Sequence, residues 1–105
     1  MADWVRICGG AELPKEGEAR EVIFHRRQFC VARGGGNIAV MDNLCPHKGG
    51  PLGQGFVEDG RVVCPLHGWA FDLKTGEAEH NTRERVRVYE SRLEDGTLSV
   101  LLPEF

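Results

Sequence analysis

Two short segments constrain this chain more than anything else in it: Cys45-Pro46-His47-Lys48-Gly49-Gly50-Pro51-Leu52 and Cys64-Pro65-Leu66-His67-Gly68-Trp69. Each offers one thiol and one imidazole, spaced C-x-H in the first and C-x-x-H in the second, and sixteen residues separate His47 from Cys64. Both segments are rich in proline or glycine, which interrupt regular structure. The fold therefore has to present two ordered loops to one pocket. Loops carry function when a rigid scaffold holds them, and the rest of the chain has to be that scaffold.

The scaffold reads as nearly all β. Trp4 to Cys8 is a short β-prone run, and Arg20–His25 and Gln28–Arg33 are two more, joined by a short connection. Gly34-Gly35-Gly36-Asn37 is a turn, because glycine reaches positive φ without steric cost. Asn37–Asp42 completes that hairpin. The pattern stops from about Asn43 to Gly55, an ordered loop. Phe56–Cys64 reads as a hairpin turning at Asp59-Gly60, a favoured two-residue turn. Pro65–Trp69 forms the second loop, followed by Ala70–Leu73 and a turn at Thr75-Gly76. Arg83 to Leu102 reads as one hairpin turning at Asp95-Gly96, with Leu98, Val100 and Leu102 on one face and Val86 and Val88 on its partner strand. Glu90 falls in the same phase, so a bulge or the strand end must intervene there. No stretch has the periodicity of an amphipathic helix.

Two thiolates and two imidazoles would satisfy one tetrahedral zinc ion. Zinc modules with this ligand set usually group cysteine with cysteine and histidine with histidine, whereas each loop here mixes them. Mixed pairs suit a two-iron cluster in which each loop sends its thiolate to one iron and its imidazole to the other. A structural zinc site, and with it a metal-stabilised interaction module without a redox role, stays open at this point.

The paired loops resemble the Rieske family motif: C-x-H, a gap of about sixteen residues, then C-x-x-H. The resemblance covers all four ligand positions, the gap, and the Cys-Pro, His-Gly-Trp, Phe-Asp-Leu and Thr-Gly elements, spanning roughly Cys45 to Gly76. It implies the Rieske fold, an antiparallel β-sheet base with a small cluster-binding subdomain inserted at about residues 43–72, within a single domain over 1–105. It implies one Rieske-type 2Fe-2S cluster per chain, with Cys45 and Cys64 on the iron that stays ferric and His47 and His67 on the iron that takes the electron. Two ferric ions, two sulfides and two thiolates sum to zero charge, so the oxidised site would be neutral. The free ring nitrogens of His47 and His67 would lose protons more readily on the oxidised site, giving a potential that falls as pH rises into the alkaline range.

Departures within the family are informative. High-potential members carry an additional cysteine in each loop, joined by a disulfide; here those positions are Gly50 and Leu66. The same members place a serine and a tyrosine where hydroxyls bond the cluster sulfurs; here those positions are Trp69 and Phe71. Fewer hydrogen bonds to sulfur lower the potential, so the expectation is about −150 mV, the low end of the Rieske range. Gly49, Gly50 and Gly68 are read as turn-formers that also allow close backbone approach to the sulfides.

Size and charge bound the remaining possibilities. A chain of 105 residues suits one domain, and its composition is that of a globular protein. The formal net charge of −3 gives no footprint for nucleic acid or an anionic membrane. No apolar run approaches a membrane span, and the first residues lack the pattern of a signal peptide, so a cytoplasmic location is expected. There cysteines serve as metal ligands more readily than as disulfides. Cys8 and Cys30 lie in β-prone runs and read as buried core thiols. His25 and His80 read as surface histidines, and Lys48 as a solvated lysine. Trp69, Leu66, Pro46 and Leu52 are expected to shield the cluster.

No acid–base constellation or substrate pocket is evident, so the chain is not expected to be an enzyme by itself. It resembles the soluble Rieske ferredoxins that pass electrons from a flavin-dependent reductase to a ring-hydroxylating oxygenase. It also resembles the small subunit of NAD(P)H-dependent nitrite reductase, whose partner is the large subunit.

Overall fold

The computed structural model describes residues 3–46, 49–66, 68–79 and 83–102. Its centre is a four-stranded antiparallel sheet of Ala19–Phe24 (β2), Arg27–Gly34 (β3), Asn37–Asp42 (β4) and Val88–Tyr89 (β8), in the order β2-β3-β4-β8. Period-two alternation in β3 and β4 makes this sheet a partition. Phe29, Val31 and Val40 point to one side; Cys30, Ala32, Ala39 and Met41 point to the other, and all are buried.

On the first side lies a three-stranded sheet of Asp3–Gly9 (β1), Ser91–Glu94 (β9) and Thr97–Leu102 (β10), in the order β1-β10-β9. Ile7, Cys8, Leu98, Val100 and Leu102 from these strands meet Phe29, Val31, Val40 and Tyr89 in a closed apolar core. Each large side chain sequestered there contributes about 1.5–3 kcal/mol.

On the second side lies another three-stranded sheet, Phe56–Glu58 (β5), Arg61–Val63 (β6) and Ala70–Asp72 (β7). It packs Val57, Val62, Phe71 and Leu73 against the small side chains Cys30, Ala32 and Ala39. The approach is so tight that a Cβ on Gly34 would overlap the Val57 side chain. This smaller sheet and the two loops beside it fall within residues 43–72.

The short turns follow from residue type. Gly35-Gly36, Asp59-Gly60 and Asp95-Gly96 each place two successive residues at positive φ, which matches the twist of the flanking strands. His25-Arg26 does the same between β2 and β3 at φ 49° and 67°, without a glycine to mark it. Leu52–Gln54 forms a 3-10 turn inside the first loop.

The hairpin expected over Arg83–Leu102 requires correction. Only β9 and β10 form it, turning at Asp95-Gly96. Before Glu90 the chain belongs elsewhere: β8 pairs with β4 through Val40–Tyr89 and Met41–Val88, and Val86 donates its amide to the Gly76 carbonyl at 2.9 Å. The strand end at Tyr89 takes the place of a bulge at exposed Glu90, and the chain crosses there from one sheet to the next. Val86 is buried in the second core, whereas Leu98, Val100 and Leu102 fill the first. Cys8 and Cys30 are both fully buried, as expected of core thiols. Among the described residues, no helix is long and apolar enough to cross a membrane.

Candidate metal centre

The two ligand loops begin close behind sheet strands, Cys45 three residues after the end of β4 and Cys64 directly after β6, and they close in the same way. The Cys45 amide donates to the Gly50 carbonyl at 2.8 Å, and the Cys64 amide donates to the Trp69 carbonyl at 2.7 Å. Each cysteine is thus bonded to the fifth residue after it. In each loop the fourth residue after the cysteine is a glycine at left-handed φ, 69° at Gly49 and 70° at Gly68. A side chain there would be strained, so these two glycines are what allow both loops to turn back on their cysteines. The pairing of half-sites read from the sequence is therefore also a repetition of backbone geometry.

The loops bring the two thiols together. Cys45 and Cys64 are 2% and 1% exposed, form no disulfide, and face one another within hydrogen-bonding reach. Burial pushes the Cys64 thiol up; the backbone amide of Leu66 donates to its sulfur and pulls the other way, while the neighbouring Cys45 thiol adds to the rise. A bound cation reverses this balance by taking the thiolate as ligand. His47 and His67, like Lys48 and His80, lie outside the described residues.

Gly50 is the tightest point. A Cβ at this position would come within 2.8 Å of the Cys64 sulfur and 3.1 Å of the Leu66 side chain. The backbone can come this close to the Cys64 sulfur only because position 50 carries no side chain. Two converging thiols, an amide aimed at one sulfur and a glycine-lined cradle form a donor set that fits an iron–sulfur group.

The shielding residues divide. Leu52 is fully buried and Trp69 is half-buried against the same core, 6.4 Å from the Phe71 ring. Pro46 is exposed and Leu66 is 44% exposed; Leu44, in the first loop with Pro46, is 61% exposed. Leu52 and Trp69 thus pack on the interior side, while Leu44, Pro46 and Leu66 are apolar side chains left open to solvent. His25 is exposed and packs edge-on against Phe24, 4.3 Å between ring centroids.

Sequence reasoning missed Asn43, the buried polar side chain of the core at 1% exposure among the described residues. It stands two residues before Cys45 and ties the loop to β2 through Glu21. No spacing or motif marks it; the only available signal is a lone asparagine between a strand and a ligand loop.

Comparisons with known proteins bear on the family and the fold. The family profile of the Rieske [2Fe-2S] domain matches residues 3–90. The anthranilate 1,2-dioxygenase ferredoxin subunit of Burkholderia cepacia is 35% identical over 101 residues, covering 95% of this chain and 93% of its own length. A ferredoxin from Sphingomonas yanoikuyae B1 superposes with a TM-score of 0.82 at 30% identity, over 96% of this chain and 100% of its own. A protein described as an NADH-dependent nitrite reductase small subunit, from Mycobacterium tuberculosis, shares the fold with a TM-score of 0.83 at 23% identity, over 100% of this chain and 99% of its own.

Proposed function

The chain belongs to the Rieske [2Fe-2S] domain family, and from that premise we propose that it is a one-electron carrier, the ferredoxin component of a ring-hydroxylating dioxygenase system. The observation that carries this reading is the near end-to-end match to a dioxygenase ferredoxin subunit, 35% identical with 95% and 93% of the two chains covered. A carrier of this kind serves a flavin-dependent reductase on one side and an oxygenase on the other, does not turn over a substrate alone, and works in the cytoplasm. The second reading, a nitrite reductase small subunit, is supported by likeness of fold over the whole chain.

The family's cofactor is a Rieske 2Fe-2S cluster, which supplies one-electron redox chemistry when bound. In this chain Cys45 and Cys64 would hold one iron and His47 and His67 the other. The Leu66 amide donates to the Cys64 sulfur and would offset negative charge there. Leu52, Trp69 and Phe71 exclude water from the inner side and strengthen every charge interaction within it. Leu44, Pro46 and Leu66 leave apolar side chains exposed for close approach of a redox partner. Trp69 and Phe71 offer no hydroxyl to the sulfurs, which supports a potential near −150 mV, about the low end of the Rieske range.

Anaerobic purification followed by iron and acid-labile sulfide analysis and electron paramagnetic resonance tests this reading. Two irons and two sulfides per chain, a rhombic signal on reduction, and its loss in His47→Ala or His67→Ala with retention in His25→Ala are expected. Zinc without sulfide would mark a structural metal module, and a potential above about +100 mV would remove the chain from the low-potential branch. Electron delivery to a purified dioxygenase, set beside delivery to a nitrite reductase large subunit, separates the two partner systems.

A further inference from the structure

We propose that Asn43 and Glu21 form a clamp that positions the first ligand loop and so governs how firmly the chain retains its cluster. The inference rests on the cluster reading above and concerns residues that hold no metal themselves.

Asn43 uses its polar groups on both ends of the loop. Its backbone carbonyl accepts from the Leu52 amide at 2.7 Å, and its side-chain carbonyl accepts from the Gly53 amide at 2.7 Å. Its side-chain amide donates to Glu21 Oε2 at 2.7 Å, with Gln28 Oε1 at 3.5 Å. The other carboxylate oxygen of Glu21 accepts from the side-chain amide of Gln54 at 3.1 Å. Residues that enter the loop and residues that leave it are therefore gathered onto one carboxylate in β2. Cys45 and His47 lie between them in sequence.

Close backbone contacts extend this anchorage to the second loop. Gly53 rests directly on β2, where a Cβ would come within 2.7 Å of the Glu21 nitrogen. Gly55 abuts β6, where a Cβ would overlap the Val63 carbonyl, one residue before Cys64. A displacement at Asn43 is thus transmitted to the position of both thiols. The chemistry also explains why the residue is an amide. Aspartate has the same shape but would set a second carboxylate against Glu21 at hydrogen-bond distance, with the aspartate end of the pair buried. Partners that orient ligands in this way change metal affinity by about 10–100-fold when removed.

The polarity of the clamp can be inverted. In Asn43→Asp with Glu21→Gln, the glutamine amide donates to the new carboxylate while its carbonyl still accepts from Gln54. Cluster release into a ferrous chelator is followed by absorbance, together with the paramagnetic spectrum of the reduced protein and the urea midpoint of the iron-free chain. Asn43→Asp should release iron at least about tenfold faster and alter the spectrum. The double variant should recover both. Glu21→Ala approaches the clamp from its more accessible side and should accelerate release as well; it decides the matter if Asn43→Asp does not fold. Release at the wild-type rate with an unchanged spectrum in folded Asn43→Asp or Glu21→Ala would overturn the clamp. So would a folded double variant that recovers neither, or a drop in the urea midpoint unaccompanied by any change in release or spectrum. Wild-type protein without iron and sulfide would defeat the cluster reading itself, a failure visible before any variant is made.

Discussion

The two faces of the central sheet are built from the same strands and do different work. Toward β1, β9 and β10 the sheet sends Phe29, Val31 and Val40 into a core of Leu98, Val100, Leu102 and Ile7. Toward β5, β6 and β7 it sends Cys30, Ala32, Ala39 and Met41, mostly small, and the space is taken by close backbone approach and by Cys45 and Cys64. The first face buys stability by apolar volume. The second gives up volume so that two loops can seat against the sheet. Alternation along a strand lets one segment serve both ends without compromise between them.

The largest effect should come from the first face. Phe29→Ala removes a ring with no exposure that packs edge-on against Tyr89 at 5.5 Å, and should lower unfolding free energy by about 3–5 kcal/mol. Urea denaturation with and without iron should show the same loss. A loss that vanished on iron binding would mean that the two faces are not separable.

A smaller effect is expected at the centre of the second face. Gly50→Ala forces a methyl group toward the Cys64 sulfur and the Leu66 side chain, an overpacking cost of about 1–3 kcal/mol. The measurable outcome is reduced iron content with β-sheet circular dichroism retained. Normal iron content would show that the loop has slack at Gly50.

The alkaline limb of stability sharpens the contrast further. Burial pushes the Cys30 thiol up to about 12 from an ordinary value of 9.0. A thiol raised on folding contributes stability that is complete below pH about 9 and fades as pH rises toward its folded value. Tyr89 is raised in the same direction by burial first and then by Asp42, which accepts from its hydroxyl at 2.6 Å. Urea midpoints of the iron-free chain should therefore fall above pH about 9, less steeply in Cys30→Ala. An unchanged slope in that variant would assign the limb to other groups.

How much of this was legible in the sequence depended on whether the cause was local. Asp59-Gly60, Asp95-Gly96 and the glycine run at 34–36 announce their turns because positive φ selects their residue types. The period of Leu98, Val100 and Leu102 announces a buried face. The segment before Glu90 misled because its alternation is equally strand-like whichever strand it joins. Its pairing with Met41 and Val40 is decided by long-range packing, not by the Asp95-Gly96 turn. At the site, residue types and spacing placed Cys45 and Cys64 in one centre, where the structure brings their thiols together. The clamp residues were hidden because an asparagine and a glutamate 22 residues apart carry no joint pattern until the sheet aligns them.

The matching closures of the two ligand loops have a consequence for exchange between them. Each is a six-residue segment, tied from its cysteine amide to its last carbonyl with glycine at the fifth place, but the sixth place differs: Gly50 in one loop, Trp69 in the other. Transplanting the second hexad into the first position would set a tryptophan at position 50, where even a Cβ meets the Cys64 sulfur at 2.8 Å. The backbone closure is shared, yet traffic between the loops is one-way: the second can give up its bulk, and the first has no room to receive it.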